Sequence, residues 1–121
     1  MVFNHLIEQL GNHSISELPR EACGIITKSF NYMPVKNISK SPINSFIINP
    51  FDILKYDNDI WGFFHSHPNS ADPIPSNKDL TSTVYTQYKF IVGFANNFYI
   101  YWVHNNELRF EKFNESHCII Q

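Results

Sequence analysis

The chain has 121 residues and a formal net charge of −2 at pH 7, and 43% of its residues are hydrophobic and 16% aromatic. This length and composition predict one globular domain, residues 1–121, with a core rich in strand-forming side chains. The charge balance excludes the basic field of a nucleic-acid-binding protein, so we expect no nucleic-acid partner.

Cysteine content and hydropathy indicate a cytoplasmic protein that has no membrane partner. The chain has two cysteines, Cys23 and Cys118, which are too few for a disulfide scaffold and are expected to be reduced. No apolar run approaches the roughly 20 residues that a membrane-spanning helix needs. The first residues also lack the basic and apolar regions of a signal peptide. These features leave the oligomeric state open.

In the first half of the chain, apolar periodicity predicts one helix followed by short strands. The residues at helical spacing are Val2, Phe3, Leu6, Ile7 and Leu10. Gly11 is expected to end this helix, and residues 12–19 are polar and turn-rich. Strands are predicted at residues 23–27, 35–38 and 46–48. Asn49 fits the N-cap of a short helix that has Pro50 at its first position.

In the second half, an apolar run at residues 60–64 predicts a buried strand that Pro68 stops. A rigid loop follows at residues 68–76, and Ser76 is expected to begin a helix that ends near Tyr85. Strands at residues 90–94, 98–103 and 108–113, joined by hairpin turns, predict a β-meander. The predicted fold class is α+β: a mixed, mostly antiparallel β-sheet flanked by helices.

Two histidines, His65 and His67, follow the buried strand directly. Because residues i and i+2 leave the same face of a strand, their imidazoles can converge while Ser66 faces away. Two imidazoles and one carboxylate form a common open zinc site, with water as the fourth ligand. The pattern therefore predicts a Zn²⁺ site, and the alternative is a pair of ordinary core histidines.

Asp79 is the predicted carboxylate ligand. The spacing Ser76-x-x-Asp79 also fits a capping box, in which both residues satisfy N–H groups at a helix start. Asp72 is the rival carboxylate, but its place beside Pro73 is typical of a solvated turn residue. A ligand near the start of a helix is held by backbone bonds. We therefore favour Asp79 and expect Asp72 to point to solvent.

The combined pattern of a glutamate, His-x-His-Pro and Ser-x-x-Asp resembles the JAMM (MPN-plus) zinc metallopeptidase family. Its residues here are Glu21, His65, His67, Pro68, Ser76 and Asp79. The resemblance covers nearly the whole chain, and residues 21–26 and 37–50 look most like small bacterial and phage tail-assembly members. One spacing differs, because eleven residues, 68–78, separate His67 from Asp79, one more than the family usually has.

The resemblance implies a JAMM fold, related to cytidine deaminase, and zinc-dependent hydrolysis of a peptide or isopeptide bond. It implies that His65, His67 and Asp79 hold Zn²⁺, while Glu21 and Ser76 are catalytic. Glu21 would take the proton from the attacking water and pass it to the leaving amine. The partner would be a protein or peptide substrate, such as a ubiquitin-like tail or a phage tail component.

Two other functions stay open. A protein of this fold can be a non-catalytic scaffold that docks partners, for example in tail assembly. A zinc nucleoside deaminase is the second, but that chemistry usually needs two nearby cysteine ligands and a His-x-Glu, which this sequence lacks. Cys23 lies in an apolar run without an activating base, so we interpret it as a small buried hydrophobe.

Overall fold

One mixed β-sheet organises the computed structural model, which describes residues 2–79 and 88–119. Within those residues the elements are α1 Val2–Ser16, β1 Cys23–Thr27, β2 Tyr32–Val35, α2 Pro50–Lys55, β3 Ile60–Ser66, β4 Lys89–Phe94, β5 Asn97–His104 and β6 Glu107–Lys112. The strand order is β2-β1-β3-β4-β5-β6. The pair β3–β4 is parallel and the other pairs are antiparallel, which confirms the predicted α+β class. Across the described residues, no helix is long and apolar enough to cross a membrane.

The two faces of the sheet carry separate hydrophobic clusters. On one face, α1 packs against the sheet through Leu6 and Leu10, which contact a cluster that includes Phe64. The opposite face holds a second cluster: Ile25, Ile60, Phe63, Phe90, Val92 and Tyr101. Neighbouring residues of a strand point to opposite faces, so Phe63 and Phe64 belong to different clusters. His65, two residues after Phe63, therefore lies on the face opposite α1.

Helix α1 is longer than the sequence predicts, because its last turns pack against the β4–β5 turn. Gly11 is buried in the helix, where an added Cβ would lie 2.2 Å from the carbonyl oxygen of Ala95. The Ser14 hydroxyl donates to the Gly11 carbonyl at 2.8 Å and accepts from the Ala95 N–H at 3.0 Å. The expectation that Gly11 ends the helix is wrong. Tertiary contact outweighs the weak helix propensity of glycine.

Two predicted strands are also placed differently. Strand β2 is Tyr32–Val35 rather than residues 35–38, and residues 46–48 contribute a single bridge from Ile48 to Asn37. Apolar side chains from residues 46–48 reach the sheet without joining its ladder: the Phe46 ring stacks on His65 and Ile48 packs on the second cluster. This apolar run therefore belongs to a loop that covers the sheet.

Three other local predictions have clear outcomes. The Asn49 side chain caps α2 by accepting from the Phe51 N–H, as predicted. The β-meander of β4, β5 and β6 is confirmed. After Ser76, residues 77–79 form a helical turn. The rest of the helix predicted to end near Tyr85 lies outside the described residues.

The close approach of Ala95 to Gly11 yields a prediction with an unusual sign. In an exposed helix, Gly→Ala stabilises the fold, but here the new methyl group would collide with backbone. Gly11→Ala should lower the free energy of unfolding by about 1–3 kcal/mol. Urea denaturation measures this, with the exposed neighbour Asn12→Ala as a control that is neutral or stabilising. A stabilised Gly11→Ala variant would contradict the contact.

Candidate metal centre

The predicted histidines and Asp79 meet at the end of β3. The His65 Nε2 atom lies 3.3 Å from His67 Nε2 and 2.9 Å from Asp79 Oδ1. Asp79 Oδ2 lies 3.5 Å from His67 Nε2. The loop at residues 68–78 takes up its extra residue without moving Asp79 away from the histidines. Three groups that can each bind a metal therefore lie close enough together to bind the same ion.

The Ser76–Asp79 segment fits both interpretations of its sequence: it forms a helix-capping contact, and it brings Asp79 beside the histidines. Asp79 Oδ2 accepts from the Ser76 N–H at 2.8 Å, as the acidic member of a capping box does. The Asp79 N–H bonds back to the Ser76 carbonyl at 2.9 Å. Asp79 Oδ1 remains directed at His65. Capping therefore fixes this carboxylate in place, and the Ser76 side chain is exposed along the cleft.

Asp72 has a different partner. It is exposed, and its Oδ1 atom accepts a hydrogen bond from the Tyr99 hydroxyl at 2.9 Å. The loop folds around Asp72 through its carbonyl, which accepts from the Ser70 hydroxyl and the Ile74 N–H. Asp72 therefore points to the surface beside β5, and Asp79 is the carboxylate beside the histidines.

Glu21 reaches the site through strand pairing. Cys23 of β1 lies opposite His65 of β3 in an antiparallel register, so Glu21 falls opposite His67. The Glu21 side chain is only 7% exposed. One oxygen of its carboxylate lies within 4.8 Å of the ring nitrogens of both histidines. A residue that only the family resemblance singled out is therefore buried beside the imidazole pair.

Two contacts orient the imidazoles. His67 Nδ1 donates to the Ile74 carbonyl at 3.0 Å, and its Nε2 faces His65 Nε2 and Asp79 Oδ2. The His65 ring stacks on Phe46, with 4.4 Å between ring centroids. Metal-binding histidines commonly donate their second nitrogen to a carbonyl in this way, because it fixes the tautomer.

The environment of the site shifts the pKa values of its four titratable groups, the two histidines and the two carboxylates, in different directions. Burial raises the pKa of Glu21 to about 7. Burial lowers the pKa of His65, and its bond to Asp79 offsets this only in part. Burial alone would raise the pKa of Asp79 and lower that of His67. For Asp79, the hydrogen bond from His65 and the contact with His67 outweigh burial, so its pKa falls. For His67, the neighbouring carboxylates of Asp79 and Glu21 outweigh burial, so its pKa rises. Near neutral pH, Asp79 is therefore anionic and His65 neutral, the states in which each could bind a metal, whereas the raised pKa of His67 favours its protonated form.

These donors fit a tetrahedral metal ion. Two ligand atoms bound to one zinc at about 2.0–2.2 Å lie about 3.3–3.5 Å apart. The separations among His65 Nε2, His67 Nε2 and the Asp79 oxygens are 2.9, 3.3 and 3.5 Å. Small side-chain shifts would therefore complete the geometry. The nitrogen and oxygen donors also match the ligands that zinc accepts.

The cysteines do not take part in this site. Cys23 is fully buried, and burial raises the pKa of its thiol to about 12. Burial also raises the pKa of Cys118 to about 11. The potential metal-binding group found among residues 2–79 and 88–119 contains Glu21, His65 and His67 and no cysteine. This arrangement disfavours both a cysteine nucleophile and a deaminase-type zinc site.

A cleft of about 830 Å³ leads to the centre. Its apolar lining comes from the sheet, from α2, and from the loops that contain residues 43–48 and residue 74: Ile43, Ile47, Ile48, Ile53, Phe63, Ile74 and Phe90. Lys78 borders the same cleft, and its ammonium donates to the Asn44 carbonyl of the facing loop. The centre thus lies beside an apolar groove large enough for an extended peptide segment.

Asn37 supports the site, and the sequence did not single it out. Its side-chain nitrogen donates to the carbonyls of Glu21 and Ser45, each at 3.0 Å. Its oxygen accepts from the N–H groups of Ser39 and Ile47 at 3.0 and 3.1 Å. One buried amide therefore joins the Glu21 backbone to the loop that carries Phe46. The only signal in the sequence was a polar amide inside a predicted strand.

Removing this amide should destabilise the fold. Asn37→Ala leaves several buried backbone groups without partners, so the free energy of unfolding should fall by about 1–3 kcal/mol. The control is Asn31→Ala, an exposed asparagine whose side chain donates to Ser29; this variant should stay within about 0.5 kcal/mol of the parent. Chemical denaturation compares the two. Equal stability of both variants would contradict the role of Asn37.

Comparison with known proteins places the chain in a family and a fold. The family model of prokaryotic homologs of the JAB domain matches residues 3–111. No curated protein sequence matches at a significant level. The solution structure of protein DSY2949 from Desulfitobacterium hafniense is similar, with a TM-score of 0.72 and 19% identity over 88% of this chain and 86% of that chain. At that identity the similarity concerns the fold alone. The family model spans most of the sequence, and the chain therefore belongs to the prokaryotic JAB-domain family.

Proposed function

We propose that this JAB domain is a zinc-dependent hydrolase that cleaves peptide or isopeptide bonds. The observation that carries the proposal is the convergence of His65, His67 and Asp79 beside the buried Glu21. Structural ion pairs seldom combine two imidazoles and two carboxylates on a buried face that borders a cleft. Groups with opposed pKa shifts in such a place are typical of catalytic sites.

The roles follow from where each group lies. His65, His67 and Asp79 would hold Zn²⁺, because their donor atoms are 2.9–3.5 Å apart. Glu21 lacks the capping bond that fixes Asp79, and its carboxylate lies within 4.8 Å of the imidazole nitrogens. Its pKa, raised by burial to about 7, suits a group that exchanges protons with water better than a permanent anion at a metal. We therefore assign Glu21 as the base rather than as a third ligand.

A zinc ion at this place would lower the pKa of a bound water to about 7 and polarise the scissile carbonyl. Glu21 then accepts the proton of the attacking water and returns it to the leaving amine. The Ser76 hydroxyl, at the edge of the cleft, donates to the carbonyl oxygen as negative charge develops. The apolar walls of the cleft hold the substrate in place and limit the access of water.

We propose an extended protein tail as the substrate. A ubiquitin-like modifier and a phage tail component both offer such a segment. The cleft runs between the loop that carries Ile43 and Ile47 and the loop that carries Ile74, which suits an extended chain better than a folded surface. Main-chain hydrogen bonds to such a segment would grip many sequences alike.

Zinc binding should depend on Asp79 and not on Asp72. Asp79→Ala removes an anionic ligand beside both histidines, so zinc affinity should fall by about 10²-fold or more. Asp72→Ala removes a carboxylate bonded to Tyr99 and should leave affinity nearly unchanged. Asp79→Asn separates charge from capping, because its amide oxygen can still accept from the Ser76 N–H. Competition with a fluorescent chelator measures all three. Loss of affinity in Asp72→Ala alone would overturn the ligand assignment.

Glu21→Gln should separate metal binding from hydrolysis. The amide keeps the shape of the side chain but accepts no proton, so the rate should fall by about 10²–10⁴ while zinc stays bound. Mass spectrometry of ubiquitin-like fusions and a peptide library, incubated with the zinc-loaded parent and variant, provides the rates. Equal rates would exclude Glu21 as the base. A parent that binds zinc but cleaves nothing would favour a scaffold function.

A further inference from the structure

Strand β6 forms one edge of the sheet and is open on its outer side. It pairs with β5, and no other strand in the described ranges pairs with it. Its residues are largely exposed, and Phe110 keeps 43% of its surface accessible. Unpaired edges tend to add further strands, so proteins usually protect them with proline or charge.

The two edges of this sheet differ in that protection. Strand β2, at the other edge, has four residues and includes Pro34, which has no N–H to donate to a further strand. Strand β6 has six residues, ELRFEK, and no proline. The sheet therefore has a blocked edge at β2 and an edge at β6 whose behaviour depends on its charged side chains.

The hairpin geometry determines which backbone groups of β6 face outward. Residues 105–106 form a two-residue turn with φ of 51° and 63°, the left-handed conformation of a type I′ turn. Such a turn makes His104 and Glu107 a hydrogen-bonded pair, and bonding alternates along the strand from there. The outward N–H and C=O groups are therefore those of Leu108, Phe110 and Lys112.

The charges on β6 select one register for pairing with an identical strand. When Phe110 lies opposite Phe110 of a second copy, outward backbone groups face each other, and Arg109 lies opposite Glu111 twice. A slip of two residues places Arg109 opposite Arg109 and Glu107 opposite Glu111. Opposite charges across strands stabilise a pair and like charges destabilise it. Centring the pair on Leu108 would also place Arg109 opposite Glu107 twice, but only residues 107–109 of each β6 would then overlap, against residues 108–112 in the Phe110 register. Charge and overlap length together favour the Phe110 register, and the twofold arrangement closes at two copies.

We propose that two copies of this chain associate through antiparallel pairing of their β6 strands, with Phe110 opposite Phe110. The sheet would then continue across the twofold axis. The proposal is independent of the metal centre, which lies at the end of β3. The short contact predicts weak association, in the range of high micromolar to millimolar protein concentrations.

Contacts within one copy compete only weakly with this pairing. The exposed Asn114 side chain donates to the Lys112 carbonyl at 3.3 Å and would have to leave it for a second strand to bind there. Arg109 forms an ion pair with Glu107 at 3.2 Å, and Glu111 with His117 at 2.8 Å. Arg109 and the two glutamates are more than half exposed, and such surface pairs contribute little to stability. Arg109 can therefore exchange partners, and each carboxylate has a second oxygen to offer.

Sedimentation equilibrium of the full chain from about 10 μM to about 1 mM tests the proposal. The parent should show a monomer–dimer equilibrium. Arg109→Glu and Glu111→Arg should each weaken dimerisation by about tenfold or more, because both cross-strand pairs become repulsive. The double variant with both Arg109→Glu and Glu111→Arg should restore the dimerisation constant to within about threefold of the parent value. An equimolar mixture of the two single variants should do the same.

Phe110→Pro provides a backbone control. Its missing N–H faces outward, so the β5–β6 ladder should survive and dimerisation should be lost. Thermal melting of each variant below the dimerisation range checks that the fold is intact. A parent that is monomeric at every concentration overturns the proposal. Association that persists in both single reversals overturns it as well, because the contact would then lie elsewhere.

Discussion

The antiparallel register between β1 and β3 is the constraint on which the rest of the site depends. Ala22 and Ser66 fix it with two hydrogen bonds: the Ala22 N–H donates to the Ser66 hydroxyl at 2.7 Å, and the Ser66 N–H to the Ala22 carbonyl at 2.9 Å. This register puts Glu21 opposite His67 across a long sequence separation. A slip of one residue would turn Glu21 to the other face of the sheet. Ser66, between the two histidines, thus holds the segment that leads into β1 and carries the proposed base.

The two carboxylates of the site differ in how they are stabilised. Asp79 has two imidazole contacts and a backbone N–H, which keep its pKa below its usual range despite burial. Glu21 is buried with weaker compensation, and its pKa rises to about 7. Carboxylates whose environments shift their pKa values apart commonly serve different chemical roles. The difference agrees with Asp79 as a permanent anion at a metal and Glu21 as a group that exchanges protons.

Local chemistry made several parts of the structure predictable. The two-residue spacing of His65 and His67 places both on one face of a strand, and Asn49 caps α2 in a way that needs no distant partner. The length of α1 was not predictable, because it depends on a contact between Gly11 and Ala95, distant in sequence. Asn37 was missed for the same reason: its partners include Glu21 and the loop at residues 45–47, on either side of it in sequence.

Anomalous diffraction at the zinc absorption edge, from crystals of the zinc-loaded protein, would identify the residues that bind the metal. We expect one peak about 2.0–2.2 Å from His65 Nε2, His67 Nε2 and an Asp79 oxygen, with Glu21 beyond bonding distance. A zinc ion coordinated by Glu21 in place of Asp79, or bound elsewhere in the chain, would show that the ligand assignment is wrong.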